Sequence, residues 1–152
     1  VHQYETGNRE MIPAQISKRN KTVMIVDDDV DQREYLSVIL QSNGLQVISF
    51  ENAHKALSAI RDKTSIDIVI TDLQMPHMNG LQFVEALRKI LPGIPVIVLT
   101  GHASVETYFK SFGLGVLEYI NKPIDESEVI RIVKLVINKA NERARYRMSK
   151  KI

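Results

Sequence analysis

The chain contains no cysteine, and that single absence excludes disulfide staples, thiolate zinc sites and a cysteine nucleophile. It also lacks any apolar run near the ~20 residues of a membrane span, and its first residues have no apolar signal-peptide core. A soluble, cytoplasmic protein with no membrane partner is the expectation. No P-loop motif occurs. The stretch GLGVLE supplies Gly113 and Gly115 without a third glycine and precedes a strand-like run, so it is not a dinucleotide fingerprint. A large excess of either charge is missing too, since the net charge is +2. The positive charge collects at the end, where Lys139, Arg143, Arg145, Arg147, Lys150 and Lys151 face a single acid, Glu142. Nucleic-acid binders do not normally carry their charge this way, so a solvated basic helix end is expected, with no nucleic-acid binding.

What is present suits one domain, because 152 residues at 44% hydrophobic can bury a sizeable core. Residues 1–21 are polar and show neither helical nor strand periodicity; they read as a flexible linker or the end of a preceding segment. Five short apolar runs follow: VMIV (23–26), VISF (47–50), IDIVI (66–70), PVIVL (95–99) and VLEYI (116–120). Their β-branched content predicts strands. Between them lie helix-length stretches with apolar residues three and four apart. Leu36, Ile39 and Leu40 mark the first, Ala56, Leu57 and Ile60 the second, Phe83, Val84 and Leu87 the third, and Val129, Ile132, Val133 and Val136 the last. A fourth stretch, Ser104 to Phe112, is short and weakly patterned. Gly44 and Gly93 follow the first and third helices, where helices tend to stop. Strict alternation with almost wholly apolar strands predicts an α/β fold of three layers, a parallel five-stranded sheet between five helices. The domain is expected over 22–138, with 139–152 as a basic extension of the last helix.

In such sheets ligands bind beyond the carboxyl ends of the strands. The first strand runs into Asp27 and Asp28, the third through Thr71 into Asp72, the fourth ends at Thr100, and the fifth leads through Asn121 into Lys122-Pro123. Three carboxylates, a hydroxyl and an ammonium are thereby predicted to share one edge of the sheet. Carboxylates grouped without thiolates or a histidine pair favour a hard divalent cation such as Mg²⁺. With the charge balanced, one carboxylate can act as a nucleophile toward a phosphoryl group that metal, lysine and hydroxyl stabilise together. Each residue alone is a weak signal: an Asp after a strand is often a turn or a helix cap, and a Lys before Pro is usually solvated. Their order along four strands of one sheet is what carries the expectation.

The segments VDDD, ITDLQMPHMNG, VLTG and YINKP, in this order and spacing, resemble the receiver domain of two-component response regulators over about residues 22–138. The resemblance implies a doubly wound, flavodoxin-like sheet of order 2-1-3-4-5. It implies a phosphoacceptor, Asp72, fed by a sensor histidine kinase or a phosphotransfer protein. Mg²⁺ or Mn²⁺ would be held by Asp27, Asp28, Asp72 and the backbone carbonyl of Gln74, while Thr100 and Lys122 hold the phosphoryl oxygens. Tyr119 would be the aromatic that swings inward when Thr100 moves, Lys122-Pro123 would be cis, and Gln74 and His102 would flank the attacking water. Such a domain catalyses its own phosphorylation and dephosphorylation and is not a turnover enzyme. It would switch the face near the fourth helix, the fifth strand and the last helix, which is also where a homodimer would form. Asp29 and Asp31 receive no chemistry and read as helix-start charges. The chain is then either a stand-alone receiver or a piece of a hybrid kinase or larger regulator.

Leu114, Val116 and Leu117 depart from the commonest pattern, being apolar where many receivers carry Ala or acids, and they suggest a self-association surface beside the fifth strand. Two other readings are weaker. An EF-hand starting at Asp27 would need Gly at Gln32 and Glu at Val38. An enzyme resembling the haloacid-dehalogenase phosphatases would use Asp27 and Asp29, with VIVLTG as a second motif, but KPIDESE supplies its acidic pair poorly and Asp72 would be idle.

Overall fold

Side-chain alternation along β1 (Thr22–Val26) explains why its sequence carries no polar phase. The structure is a computed structural model that describes residues 20–101 and 113–150. Val23 and Ile25 face Leu36, Ile39 and Leu40 of α1 (Val30–Ser42) and the Val129–Val136 stripe of α4 (Glu126–Ser149). Met24 and Val26 face the opposite way, toward α2 (Ala53–Arg61) and α3 (Gly80–Ile90), where Leu57, Phe83, Val84 and Leu87 are buried. A sheet with helices on both faces leaves a central strand no water to meet. β3 (Ile68–Asp72) and β4 (Val96–Thr100) are buried at every residue for the same reason.

β2 (Gln46–Phe50) and β5 (Glu118–Asn121) are the edges, and the order is β2-β1-β3-β4-β5 with every pairing parallel. The predicted three-layer, doubly wound architecture is therefore present. The register aligns Val26 with Thr71, Asp72 with Leu99 and Thr100 with Asn121, which brings the carboxyl ends of β1, β3, β4 and β5 to one edge. Four helices lie among the described residues; the stretch Ser104 to Phe112, expected as a further helix, and His102 lie outside them.

Two strands start two residues later than their apolar runs, and the other three start within one residue of theirs. The run expected at 66–70 is strand only from Ile68 and continues through Thr71 and Asp72, and the run expected at 116–120 is strand only from Glu118. Ile66, Val116 and Leu117 are apolar because they pack on the core from loops, so hydrophobicity there reports burial and not pairing. Leu114, Val116 and Leu117, read above as part of a self-association surface beside the fifth strand, are half-buried, Leu114 and Val116 packing against the core on the α2–α3 side and Leu117 against the other.

Local signals set the helix ends. Asp29 caps α1, its carboxylate accepting from the backbone N–H groups of Asp31 and Gln32, so the two acids without assigned chemistry start a helix as expected. Asn79 and Gln82 form a reciprocal capping box on α3, and Asp125 caps α4. Gly44, at φ +81°, takes the left-handed position after α1. Gly93 falls beyond the end of α3, which closes at Ile90 with Pro92 following Leu91, so it is not the stop signal.

Gly80 matters for the site. A Cβ there would sit 2.5 Å from the Asp72 carbonyl oxygen and 2.8 Å from Leu73 Cα, both backbone atoms with little freedom to retreat. The Gly80 N–H donates to the Leu73 carbonyl at 2.8 Å, pinning the start of α3 against the end of β3. Gly80→Ala should cost about 1–3 kcal/mol of stability, the usual range for overpacking, and move the amide resonances of residues 72–74. An unchanged urea midpoint with an unchanged spectrum would disprove the close approach.

The last helix continues as one piece to Ser149, although its burial stops near residue 137. Lys139 pairs with Glu118 of β5 at 3.0 Å where that burial ends, and beyond it Tyr146 and Met148 are 62% and 73% exposed. Among the described residues no helix is long and apolar enough to cross a membrane.

Candidate functional site

Because β1 and β3 are adjacent and parallel, Asp27 and Asp72 emerge side by side at the same edge. One carboxylate oxygen each from Asp27, Asp28 and Asp72 lie within 4.8 Å of one another. Asp27 and Asp72 are buried while Asp28 is exposed, so the cluster opens to solvent on one side. On the other side of Asp72, the Lys122 Nζ donates to its Oδ1 at 2.9 Å, and the Leu73 N–H donates to the same oxygen at 2.9 Å. Lys122 follows β5, where the Lys122-Pro123 bond is cis as expected.

A cleft of about 110 Å³ is lined by Asp72, Leu73, Gln74, Leu99, Thr100, Gly101 and Lys122. It gathers Thr100, Gln74 and Lys122 around the Asp72 side chain. Tyr119 is not in that cleft. It packs half-buried against the core on the α2–α3 side, and the β4–β5 register pairs it with Val98, which puts it on the same sheet face as Thr100 and diagonal to it.

Asp27 is the electrostatically costly member. Its Oδ1 accepts the Asp29 N–H at 2.9 Å, but its buried Oδ2 has no hydrogen-bond partner. Burial pushes its pKa up to about 6; the Asp29 N–H bond lowers it, and the Asp72 charge raises it again. An orphaned buried oxygen among three carboxylates is a donor set suited to a hard divalent cation, which would satisfy the oxygen and offset the charge. The residues present therefore fit a metal ion.

The residue that sequence reading overlooked is Arg33. Its guanidinium donates from Nη1 to the backbone carbonyl of Asp27 at 2.7 Å, placing a cation behind the acid pair. The available signal was a positive side chain in the first turn of a helix, where the macrodipole disfavours it unless acids lie nearby. Long helical side chains lean back toward the N-terminus, which is what carries the guanidinium to Asp27. Asp29, by contrast, spends its carboxylate on capping α1, and a phosphatase that needs it as a free acid is thereby disfavoured.

Comparison with known proteins agrees with this geometry. The profile of the response regulator receiver domain matches residues 23–134. The DNA-binding transcriptional regulator NtrC of Salmonella typhimurium is 32% identical over 120 residues, covering 79% of this chain and 25% of that protein. Transcriptional regulatory protein ZraR of the same organism is 33% identical over 103 residues, 68% of this chain and 23% of its own. The chain thus spans about a quarter of the length of these curated relatives. Among solved structures, the chemotaxis protein CheY4 of Vibrio cholerae aligns at TM-score 0.71 and 28% identity, covering 78% of this chain and 99% of that one. NtrX of Brucella abortus aligns at TM-score 0.76 and 25% identity, covering 84% of this chain and 29% of that one. The sheet order, the acid cluster with its lysine and the match over residues 23–134 agree, and the chain belongs to the response regulator receiver domain family of two-component signalling.

Proposed function

We propose that this receiver accepts a phosphoryl group on Asp72 from the phosphohistidine of a sensor histidine kinase or a phosphotransfer protein. The observation that carries the proposal is the Asp72 carboxylate, buried at the end of β3, ion-paired with Lys122 at 2.9 Å and grouped with Asp27 and Asp28. An Asp72 oxygen forms the new bond to phosphorus while the P–N bond breaks, and the imidazole leaves with the electron pair and takes up a proton. Mg²⁺, or Mn²⁺ in its place, held by Asp27, Asp28, Asp72 and the Gln74 backbone carbonyl, would supply the positive charge that offsets the acid cluster and the incoming phosphoryl oxygens. Lys122 exchanges part of its pairing with Asp72 for a phosphoryl oxygen, and the Thr100 hydroxyl donates to another. The same groups serve hydrolysis of the acyl phosphate, with Gln74 at the rim, so the domain catalyses its own loading and unloading and does not turn over a substrate.

The test is intact mass after incubation with a small phosphodonor and Mg²⁺. One phosphate should be added and should map to Asp72. A label on Asp27, or multiple turnover of an aryl phosphate, would instead favour the haloacid-dehalogenase-like phosphatase.

The signal would leave by the face near the fourth helical stretch, β5 and α4. Movement of Thr100 toward the phosphoryl group vacates space on the sheet face that it shares with Tyr119, so one local contact biases two packings. Thr100→Ala should still accept phosphate yet lose the phosphate-dependent amide shifts of residues 104–120; retained shifts would refute the coupling. A cytoplasmic location fits a chain of this kind. Pairing with a second copy through the same face is the self-association this reading allows, with 139–152 as a basic extension of a domain spanning 22–138.

A further inference from the structure

We infer that Arg33 is a positioning residue for the metal-binding acid pair, fixing the Asp27–Asp28 peptide so that both carboxylates present their oxygens to one cation. The inference rests on the Mg²⁺ site proposed above. Asp27 lies one residue past the end of β1, where pairing within the sheet has stopped. Its N–H still donates to the Phe50 carbonyl at 3.1 Å, and its own carbonyl accepts from Arg33 Nη1 at 2.7 Å. A peptide unit is planar, so holding the Asp27 carbonyl also holds the Asp28 N–H and constrains where the Asp28 Cα, and with it the exposed Asp28 carboxylate, can go. The bond from the Asp29 N–H to Asp27 Oδ1 fixes the other carboxylate from the far side.

Arg33 is itself anchored. Its backbone N–H donates to the Asp29 carbonyl at 3.0 Å in the first turn of α1, so the guanidinium is delivered from a helix whose start is capped by Asp29. Glu51, beyond the end of β2, interacts electrostatically with Arg33, which helps to lower the Glu51 pKa after the larger effects of Lys55. The guanidinium is therefore partly buried between two acidic surroundings while spending a directed bond on a neutral carbonyl. A cation needed only for charge balance would gain more by pairing with a carboxylate directly. Its choice of the carbonyl is the signature of positioning, the role that outer partners of metal ligands commonly fill.

The two roles predict opposite signs. As a mere nearby cation, Arg33 repels Mg²⁺, and removing it should tighten metal binding; as a positioning group, its removal should loosen it. Mg²⁺ titrations followed by amide resonances, without phosphodonor, would compare the wild-type chain with Arg33→Met, which loses charge and donors, and Arg33→Gln, which loses charge but keeps a donor amide. We expect binding by the Met variant to be weaker by about tenfold, with the Gln variant recovering most of the loss. Unchanged or tighter binding by the Met variant, or equal behaviour of the two variants, overturns the inference. If the Met variant does not fold, the Gln variant decides: affinity at or above the wild-type value overturns the inference, and affinity measurably below it bears it out. A wild-type chain whose residues 27–29 and 72–74 do not respond to Mg²⁺ would overturn the metal site itself, an outcome distinct from a wild type that binds and a Met variant that binds equally well.

Discussion

Asp72→Asn should abolish phosphoryl uptake while leaving the fold intact. The amide has the volume of the carboxylate, and its Oδ1 can still accept from the Leu73 N–H and Lys122 Nζ, the two donors that hold Asp72 Oδ1. What disappears is the charge. A neutral carboxamide is a far weaker nucleophile, and its oxygen no longer draws the metal and Lys122 into one arrangement. Intact mass with a small phosphodonor and Mg²⁺ should show one added phosphate on the wild type and none on the variant, whose amide spectrum stays dispersed. Stoichiometric labelling of the variant would mean that another carboxylate is the acceptor, and Asp27 would be the first to map.

Asp27→Asn should stabilise the metal-free domain at neutral pH by about 3 kcal/mol. Burial raises the carboxyl from 3.8 to about 6, and each pH unit of such displacement corresponds to about 1.4 kcal/mol. The sign follows from linkage. The folded state holds this proton more tightly than the unfolded state, so the penalty is absent below about 4, grows as pH rises toward 6 and is complete above it. The wild type therefore gains stability from this group as pH falls from 7 toward 4, and the difference between variant and wild type should shrink to nothing over that window. An amide nitrogen at the orphaned Oδ2 position would also face the neighbouring carboxylates with a donor in place of a repelling charge. Urea unfolding at several pH values in chelator measures the effect. Saturating Mg²⁺ should erase or reverse it, because the ion stabilises only the chain that binds it. A stability difference that does not change between pH 4 and 7 would rule out titration of Asp27 as its source.

The strands, their alternation with helices and the order of the chemical residues were legible in the sequence because each is a local pattern. A buried parallel strand must be apolar throughout, as Val23 to Val26 and Val96 to Leu99 are. A site at the carboxyl edge must place its residues at or just past strand ends, as Asp72 and Thr100 close β3 and β4 and Asp27 and Lys122 follow β1 and β5. Knowing which strands are neighbours then turns sequence order into proximity, and the four residues need no further instruction to meet.

Tertiary structure decided what depends on contacts that carry no period. Ile66, Val116 and Leu117 look like strand residues because burial in a loop and burial in a sheet select the same side chains. Gly80 becomes essential only when the end of β3 lies against it, at a distance no Cβ tolerates. Asp27, Asp28 and Asp29 are identical in sequence, yet one is buried with an orphaned oxygen, one is exposed beside it and one caps α1. The role of Arg33 arises where a side chain from one element meets a backbone carbonyl of another, a contact that depends on where the chain turns and leaves no spacing to read. Apolar periodicity fixes which elements form because water acts on every residue alike. The division of labour among like-charged neighbours follows from the folded geometry, where an ångström of displacement decides whether a carboxylate meets an N–H, a lysine or solvent.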